Sequence, residues 1–553
     1  MSEVVEGAIQ RHERHESQGA YDRWSKPRRT WRPTPAMVEN AALFLGTGAA
    51  YGALGLWVVL GQHVLVYDGL ARLSHAYFVW WNAPPKLTAI GFVWPPIATL
   101  MFLPFAAIKP LATSLAALPL SSAVFGALLL VMLNRLFTLM RMPVWQRYPL
   151  LAAFGANPMI AFYASNGMAE ILYLFLLVGA VYAFQRWYLT RAPGALIFSA
   201  IFFTLGILSR YEVFTWAVLL AGSIALVSIR QRVSRSELEG TLLTYLAPIS
   251  YGVGLWLFFN WLIVGSPLFF LRQQTPGAPV SPGQAPSTIV HTQLGPLQIA
   301  EKIASLNWHL FPPTIVVLIA LAVVFAVRRD LMTLSLFGMI GLNAAFTWLI
   351  VMESGAESYF QLRYNMRPMP LALAGVAWLF LIAGGRMRFA IWAVALLGLV
   401  AAIPMTASTM ESFQYQFREV DFVHAVTGRG GLPDQLGGAQ EVASYIDAHV
   451  HRQDAVLTDD SETFAAMLLT GRPDLFWDRI DRGDLEWYLA RDDPWGRVRY
   501  MLVIPGGPDL ITQQYPDIAS GRTRGFTTVL RSGKYLLVRV AAHRPRPLRG
   551  LTP

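Results

Sequence analysis

Apolar runs of about twenty residues recur along the chain from Ala41 to Thr406, and about twenty is what a helix rising 1.5 Å per residue needs to cross a bilayer core. Inside a bilayer every backbone polar group must be satisfied within its own segment, so such runs fold as a bundle of membrane helices. The runs predict eleven spans, at 41–61, 113–134, 148–165, 169–185, 194–209, 213–229, 241–263, 309–327, 331–352, 368–385 and 389–406. Only 14% of the residues are charged, where soluble domains carry about a quarter. Of the 34 acidic residues, 19 follow residue 406 and ten lie between Val38 and Pro404. The expected organisation is therefore a polar, disordered arm over 1–38, a polytopic membrane body over 39–406, and a tail over 407–553 long enough for its own core.

The segment FVWPPIATLMFLPFAAI, 92–108, has three prolines in 17 residues and is closed by Lys109 and Pro110. Charge parity decides whether it crosses. If it does not, Arg135/Arg141/Arg147, Arg186/Arg191, Arg230/Arg232/Arg235, Arg328/Arg329 and Arg386/Arg388 all fall on the side of the N-terminal arm. If it does, all five clusters face outward. Short Arg-rich loops belong in the cytoplasm, so the segment is expected to be a re-entrant or interfacial helix. The N-terminus is then cytoplasmic and the tail extracytoplasmic. The first apolar run follows about 38 hydrophilic residues and is expected to be a retained signal anchor, not a cleaved signal. The net charge of +10 arises in the arm and membrane body, because the tail has 17 basic residues against 19 acidic; it reads as topogenic arginine, not as a nucleic-acid surface. Arginine outnumbers lysine 39 to 5, which points to a GC-rich bacterial genome and a bacterial plasma membrane.

In the tail, DAVLTDD and RYMLVIP read as buried strands, SETFAAMLL as a helix and FTTVLRSGKYLLVRV as a hairpin around Ser532-Gly533, giving a small α/β domain. Cysteine is absent, which excludes disulfides, thiolate metal sites and a cysteine nucleophile. No glycine-rich phosphate cradle is present, which argues against a nucleotide-driven machine.

With this topology Glu39, Glu237, Glu239 and Asp330 are cytoplasmic-side, whereas Asp68, Glu170, Glu212, Glu301, Glu353 and Glu357 are all on the outer side. Asp68 (YDG), Glu170 (NGMAE) and Glu212 (SRYE) sit at span ends, where a carboxylate is costly unless paired or lining a wet cavity. Each alone reads equally well as a helix-end marker; three on one side point to a site. Asp68 is positioned to cap the helix GLARLSHAYFVWW, whose amphipathic pattern predicts an interfacial helix. His75 is seven residues on, at about the same face, and is open between a surface histidine and a substrate ligand. Arg210 and Glu212 bracket Tyr211 at a turn, either as an ion pair locking it or as substrate contacts. Arg363, in FQLRYNMRP with Tyr364 and Arg367, offers the fork that binds phosphate bidentately; its bland reading is a lipid head-group contact. The Pro/Gly-rich stretch Ser266–Asn307 is expected to be a long outer loop, a lid or disordered.

A first outer loop opening on an acid, an interfacial helix, a Pro-Pro helix and an Arg-terminated span, followed by NPMIAFYASNGMAE, SRYE, NWLIVGSPLFF and RYNMRP, resembles the GT-C superfamily of integral membrane glycosyltransferases over most of 40–406. The resemblance implies an inverting transfer of a sugar from a polyprenyl-phosphate carrier to a glycan or lipid acceptor at the outer membrane face. Mannose or arabinofuranose on an envelope glycan is the expected cargo. It implies Asp68 as catalytic base, Arg363 at the departing phosphate, and Asn166, Glu170, Arg210, Glu212, His75 and Tyr364 as substrate-binding residues. Glu170 is left two roles: orienting the acceptor, or joining Asp68 around a divalent cation. One departure stands out. The paired acidic motif of protein O-mannosyltransferases is replaced by Asp68-Gly69, which disfavours protein-acceptor chemistry. The competing classes are a transporter or lipid-binding membrane protein, which needs polar residues at the midplane of broken helices, and a non-catalytic scaffold presenting the tail.

Overall fold

The protein is known from a computed structural model that describes residues 34–82, 85, 87–91, 95–268, 294–412, 418–430, 434, 436–478, 485–507 and 509–544. Most of the expected arm and the stretch 269–293 lie outside these. Eight of the described helices are long and apolar enough to cross a membrane: Pro35–Gly61, Ala117–Leu139, Ala169–Thr190, Val213–Arg230, Arg235–Ile263, Leu331–Ser354, Leu362–Ile382 and Gly385–Ser412. The pair Pro296–Leu310 and Pro313–Arg328, bent by 111°, raises the number to nine when taken as one span.

The other expected spans change form for local reasons. The run 148–165 is broken into the helices Val144–Gly155 and Pro158–Tyr163. Pro158 lacks the N–H to continue a helix, and the Asn157 side chain caps the new one by accepting from the Met159 N–H at 3.1 Å. The run 194–209 stops at Ile207, a helix of 15 residues. The expected loop 266–307 ends in the helix Pro296–Leu310, because Ile299, Ile303, Leu306 and Leu310 recur at helical spacing and are buried. Among the described residues of the segment 92–108 the helices are the short Ile97–Leu100 and Leu103–Ala106, followed by Lys109–Thr113, none long enough to span.

Helices Ala169–Thr190 and Leu362–Ile382 form the centre of the bundle, with 83% and 89% of their most apolar stretches buried, against 22% for the outer helices Arg235–Ile263 and Gly385–Ser412. The helix Ala169–Thr190 opens on Glu170 and ends against Arg191; Val213–Arg230 follows Glu212 and ends on Arg230. Glu170 and Glu212 therefore lie at the starts of these two helices and Arg191 and Arg230 at their ends.

The C-terminal α/β domain packs on the acid-bearing end. Its strands β1 (Val456–Thr458), β2 (Phe476–Trp477), β3 (Tyr500–Val503), β4 (Phe526–Ser532) and β5 (Tyr535–Val540) form one sheet in the order β2-β1-β3-β5-β4. β1 is parallel to β2 and β3, and β5 is antiparallel to β3 and β4. Helices Gly437–His449 and Asp460–Thr470 bring Ile446, Phe464 and Leu468 into the same apolar core as Leu70, Leu73, Tyr77 and Phe78 of the helix Tyr67–Trp81. The Tyr77 hydroxyl also donates to the Gly471 carbonyl at 3.1 Å. This corrects the expected interfacial placement of that helix: its apolar face is covered by protein. Each large side chain so buried contributes roughly 1.5–3 kcal/mol. Only Trp80 and Trp81, at its end, remain exposed, with their indole N–H groups on the carbonyls of Leu103 and Ala106.

Candidate active site

Asp68 lies in the first turn of the helix Tyr67–Trp81. Val66 is the N-cap and no side chain caps it, so Asp68 is not the cap the sequence suggested. From the first turn its carboxylate still faces the positive end of the helix. Gly69 follows because the helix meets backbone there: a Cβ would lie 3.1 Å from the Gly167 carbonyl oxygen. Gly167 has φ +81°, open mainly to glycine. The Asn166 side-chain Oδ1 accepts from the Met168 N–H at 2.9 Å and fixes this turn before Glu170. The two motifs YDG and NGMAE are thus in direct backbone contact.

Arg363 Nη1 donates to Asp68 Oδ2 at 2.8 Å, its Nε to Gln361 Oε1 at 2.8 Å, and its Nη2 to the Tyr364 hydroxyl at 3.2 Å. Arg210 Nη1 donates to Glu170 Oε1 at 2.6 Å and its Nη2 to Glu212 Oε1 at 3.1 Å. Arg367 Nη2 donates to the same Glu212 oxygen at 3.0 Å, and its Nη1 to the Asn343 side-chain Oδ1 at 3.3 Å. The Tyr364 ring lies among the guanidiniums, 4.9 Å from Arg363, 5.0 Å from Arg210 and 5.8 Å from Arg367. Such contacts offset part of the repulsion between three cations.

Sequence reasoning had named seven of these residues: Asp68, Asn166, Glu170, Arg210, Glu212, Arg363 and Tyr364. It missed the buried roles of Arg367 and of Arg72, which is also buried and interacts with Asp68 and Glu170. The signal for Arg72 was its spacing, four residues after Asp68 on one helix. His75 has its Nδ1 2.6 Å from the Ala89 carbonyl, and its ring packs 5.7 Å from Phe464.

Burial pushes the Asp68 carboxyl upward, but Arg363 and Arg72 outweigh it and hold the group below the usual carboxylate range. Burial likewise opposes ionisation of Glu212, and Arg210 and Arg367 overcome it, bringing the group to about 2. Both are therefore carboxylates at neutral pH. Three acids (Asp68, Glu170, Glu212) face four guanidiniums (Arg72, Arg210, Arg363, Arg367), so the cluster carries one net positive charge. Around it Asn166 Nδ2, Glu170 Oε2, the Tyr173 hydroxyl, Arg210 Nε and Arg367 Nε are buried and have no hydrogen-bond partner among the described residues. Unspent buried polar groups cost about 1–3 kcal/mol each, which makes this cluster the candidate site.

The donor set does not suit a divalent cation. Asp68 and Glu170 each already hold a guanidinium, four arginines surround them, and no cluster of three or more His, Asp or Glu suited to a metal occurs among the described residues.

Beside the cluster, a cavity of about 420 Å³ lies between the helices Pro296–Leu310, Pro313–Arg328 and Leu331–Ser354. Ile303, Leu318, Ile340, Ala344 and Trp348 line it, and it reaches Pro368, adjacent to Arg367. Asn307 and Thr314 are its only polar lining residues.

The fold is similar to that of solved membrane proteins of low sequence identity. Two crystal structures of ArnT from Cupriavidus metallidurans, one bound to undecaprenyl phosphate and one in the apo state, match with TM-scores of 0.54 and 0.56 at 13% identity, over 92% of this chain and 100% of theirs. The Archaeoglobus fulgidus oligosaccharyltransferase in its apo form gives 0.45 at 12% identity, over 84% of this chain and 70% of its own. No family model matches the sequence, and no curated protein matches it.

Proposed function

We propose, from a GT-C fold with this ionic cluster at one end of its bundle, that the protein is an inverting glycosyltransferase working at the outer face of a bacterial plasma membrane. The donor is a sugar on a polyprenyl phosphate; the acceptor is a hydroxyl of an envelope glycan or lipid. Asp68 takes the acceptor proton, Arg363 stabilises the departing phosphate, and Glu170, Asn166 and Tyr173 hold sugar hydroxyls. The apolar cavity beside Arg367 takes the first isoprenoid units of the carrier. Mannose or arabinofuranose is the sugar we favour.

The observation that carries this reading is the pairing of a carboxylate with a phosphate-binding fork, Asp68 with Arg363 at 2.8 Å, amid unspent buried polar groups. A transporter would place such residues at the bundle's midplane; these sit at helix ends. The test is transfer by the purified protein from a panel of labelled polyprenyl-phosphate sugars. Asp68→Asn preserves side-chain size but removes the base, and should lower the rate by ~10²–10⁴-fold while the protein stays folded. Glu170→Gln, which loses an orienting contact only, should retain more activity. A folded Asp68→Asn protein with near wild-type turnover refutes Asp68 as the base.

A further inference from the structure

We propose that Arg363 is shared between Asp68 and the donor phosphate, so that Asp68 becomes a competent base only after the donor has bound. This rests on the glycosyltransferase reading above and adds an order of events to it.

In the resting protein all three guanidinium nitrogens of Arg363 are engaged, one of them by Asp68. A carboxylate so held is a poor proton acceptor, and an acceptor hydroxyl entering first meets a quenched base. The Asp68 side chain keeps 30% of its surface accessible, against 12% for Arg363, so the pair borders open space on the carboxylate side. Arg72 and, further off, Arg210 are the other cations acting on Asp68.

Charge drives the exchange. The cluster carries one net positive charge, and a sugar phosphodiester carries one negative charge, so donor binding brings the site to neutrality. The phosphate offers Arg363 a bidentate partner, and the fork swings from carboxylate to phosphate. Asp68, released, removes the proton of the acceptor hydroxyl. The acceptor oxygen bonds the anomeric carbon as the bond from that carbon to the phosphate oxygen breaks. The leaving phosphate takes the electron pair and gains one negative charge, while Asp68, now protonated, has lost one. The sum over site and ligand is zero before and after, so no charge is stranded in a low-dielectric cleft at any step.

The experiment is equilibrium binding of undecaprenyl phosphate to the purified full chain, without acceptor, for wild type, Asp68→Asn, Glu170→Gln, Arg363→Ala and the Asp68→Asn/Arg363→Ala double variant. If Asp68 competes for Arg363, Asp68→Asn binds the lipid roughly tenfold more tightly, as expected for release of one charge-assisted hydrogen bond. Glu170→Gln, which removes the same charge without touching Arg363, gains less, and the gain from Asp68→Asn disappears in the Arg363→Ala background. Arg363→Lys replaces the alanine variant if the latter does not fold. Equal gains from Asp68→Asn and Glu170→Gln overturn the sharing and leave charge alone. So does an unchanged affinity of Asp68→Asn where Arg363→Ala weakens binding, and in that case the phosphate contact survives. Unchanged affinity in Arg363→Ala removes the phosphate contact itself, and the sharing with it.

Discussion

Glu212→Gln isolates what the central carboxylate contributes to stability. Glu212 accepts from Arg210 at 3.1 Å and Arg367 at 3.0 Å, and the Arg367 side chain is only 1% accessible. Breaking a buried pair from one side costs about 3–5 kcal/mol, because it strands the other charge. Two features place this case near the lower bound. Arg210 keeps Glu170, and Arg367 keeps Asn343 together with the faces of Trp216, Tyr173 and Tyr364 at 5.5–5.8 Å. About 3 kcal/mol is therefore expected. It is measurable as a shift in an unfolding titration with sodium dodecyl sulfate in mixed micelles, followed by tryptophan fluorescence. Adding Arg367→Met should recover most of the loss, since an apolar residue in that slot strands nothing. Glu212, depressed to about 2, contributes its full share above the ordinary glutamate value near 4.3 and loses it only as pH falls toward 2. Wild-type stability should thus carry no Glu212 signature between pH 5 and 7. A cost below about 1 kcal/mol, or a double variant weaker than the single, refutes the reasoning.

Three further outcomes are expected. Arg363→Lys should weaken use of limiting donor by more than tenfold despite unchanged charge, because an ammonium cannot reproduce the fork; unchanged kcat/KM would make Arg363 a lipid contact. Single cysteines at Ser287 and at exposed Ser520 should label with an impermeant maleimide in intact cells, and protection of both until lysis would invert the topology. In the C-terminal domain burial and then the neighbouring Asp459 raise Asp509 to about 7. A raised carboxyl binds its proton more tightly when folded, so its contribution is greatest below the unfolded value near 3.9, falls as pH rises through the window, and levels off above about 7. The domain's thermal midpoint should drop from pH 5 to pH 8, and Asp459→Asn should narrow that dependence.

The ionic cluster was legible because carboxylates are costly at membrane depth, so the few present point to one place. What each one pairs with was not legible: Arg363 lies 295 positions from Asp68, and no local pattern encodes that contact. The surroundings of His75 were equally hidden. Helical periodicity placed it near the face of Asp68, but periodicity says nothing of what packs there, and Ala89 and Phe464 do. The apolar face of Tyr67–Trp81 reads identically whether lipid or protein will cover it, so the docked C-terminal domain was hidden. The break at Asn157-Pro158 and the helix within the long loop were both written in the sequence. A hydropathy average passes over the first, and the Pro/Gly composition of the preceding stretch conceals the second.

The departure at Asp68-Gly69 and the arginine surplus belong to one design. A second acid after Asp68 would need a Cβ where Gly167 backbone already stands at 3.1 Å, so the close packing of YDG on NGMAE leaves room for a single carboxylate at this turn. Asp68 and Glu170, each already holding a guanidinium, do not suit a dication among four arginines. On the proposed glycosyltransferase reading, the positive charge that a departing phosphate requires comes from side chains, and four arginines against three acids would supply it. Arginine remains charged even when buried, but it must be kept from collapsing onto the base permanently. Tyr364 contacts Arg363 through both its hydroxyl and its ring while Asp68 holds the same guanidinium, so in the proposed exchange Arg363 would keep a second anchor when the carboxylate lets go.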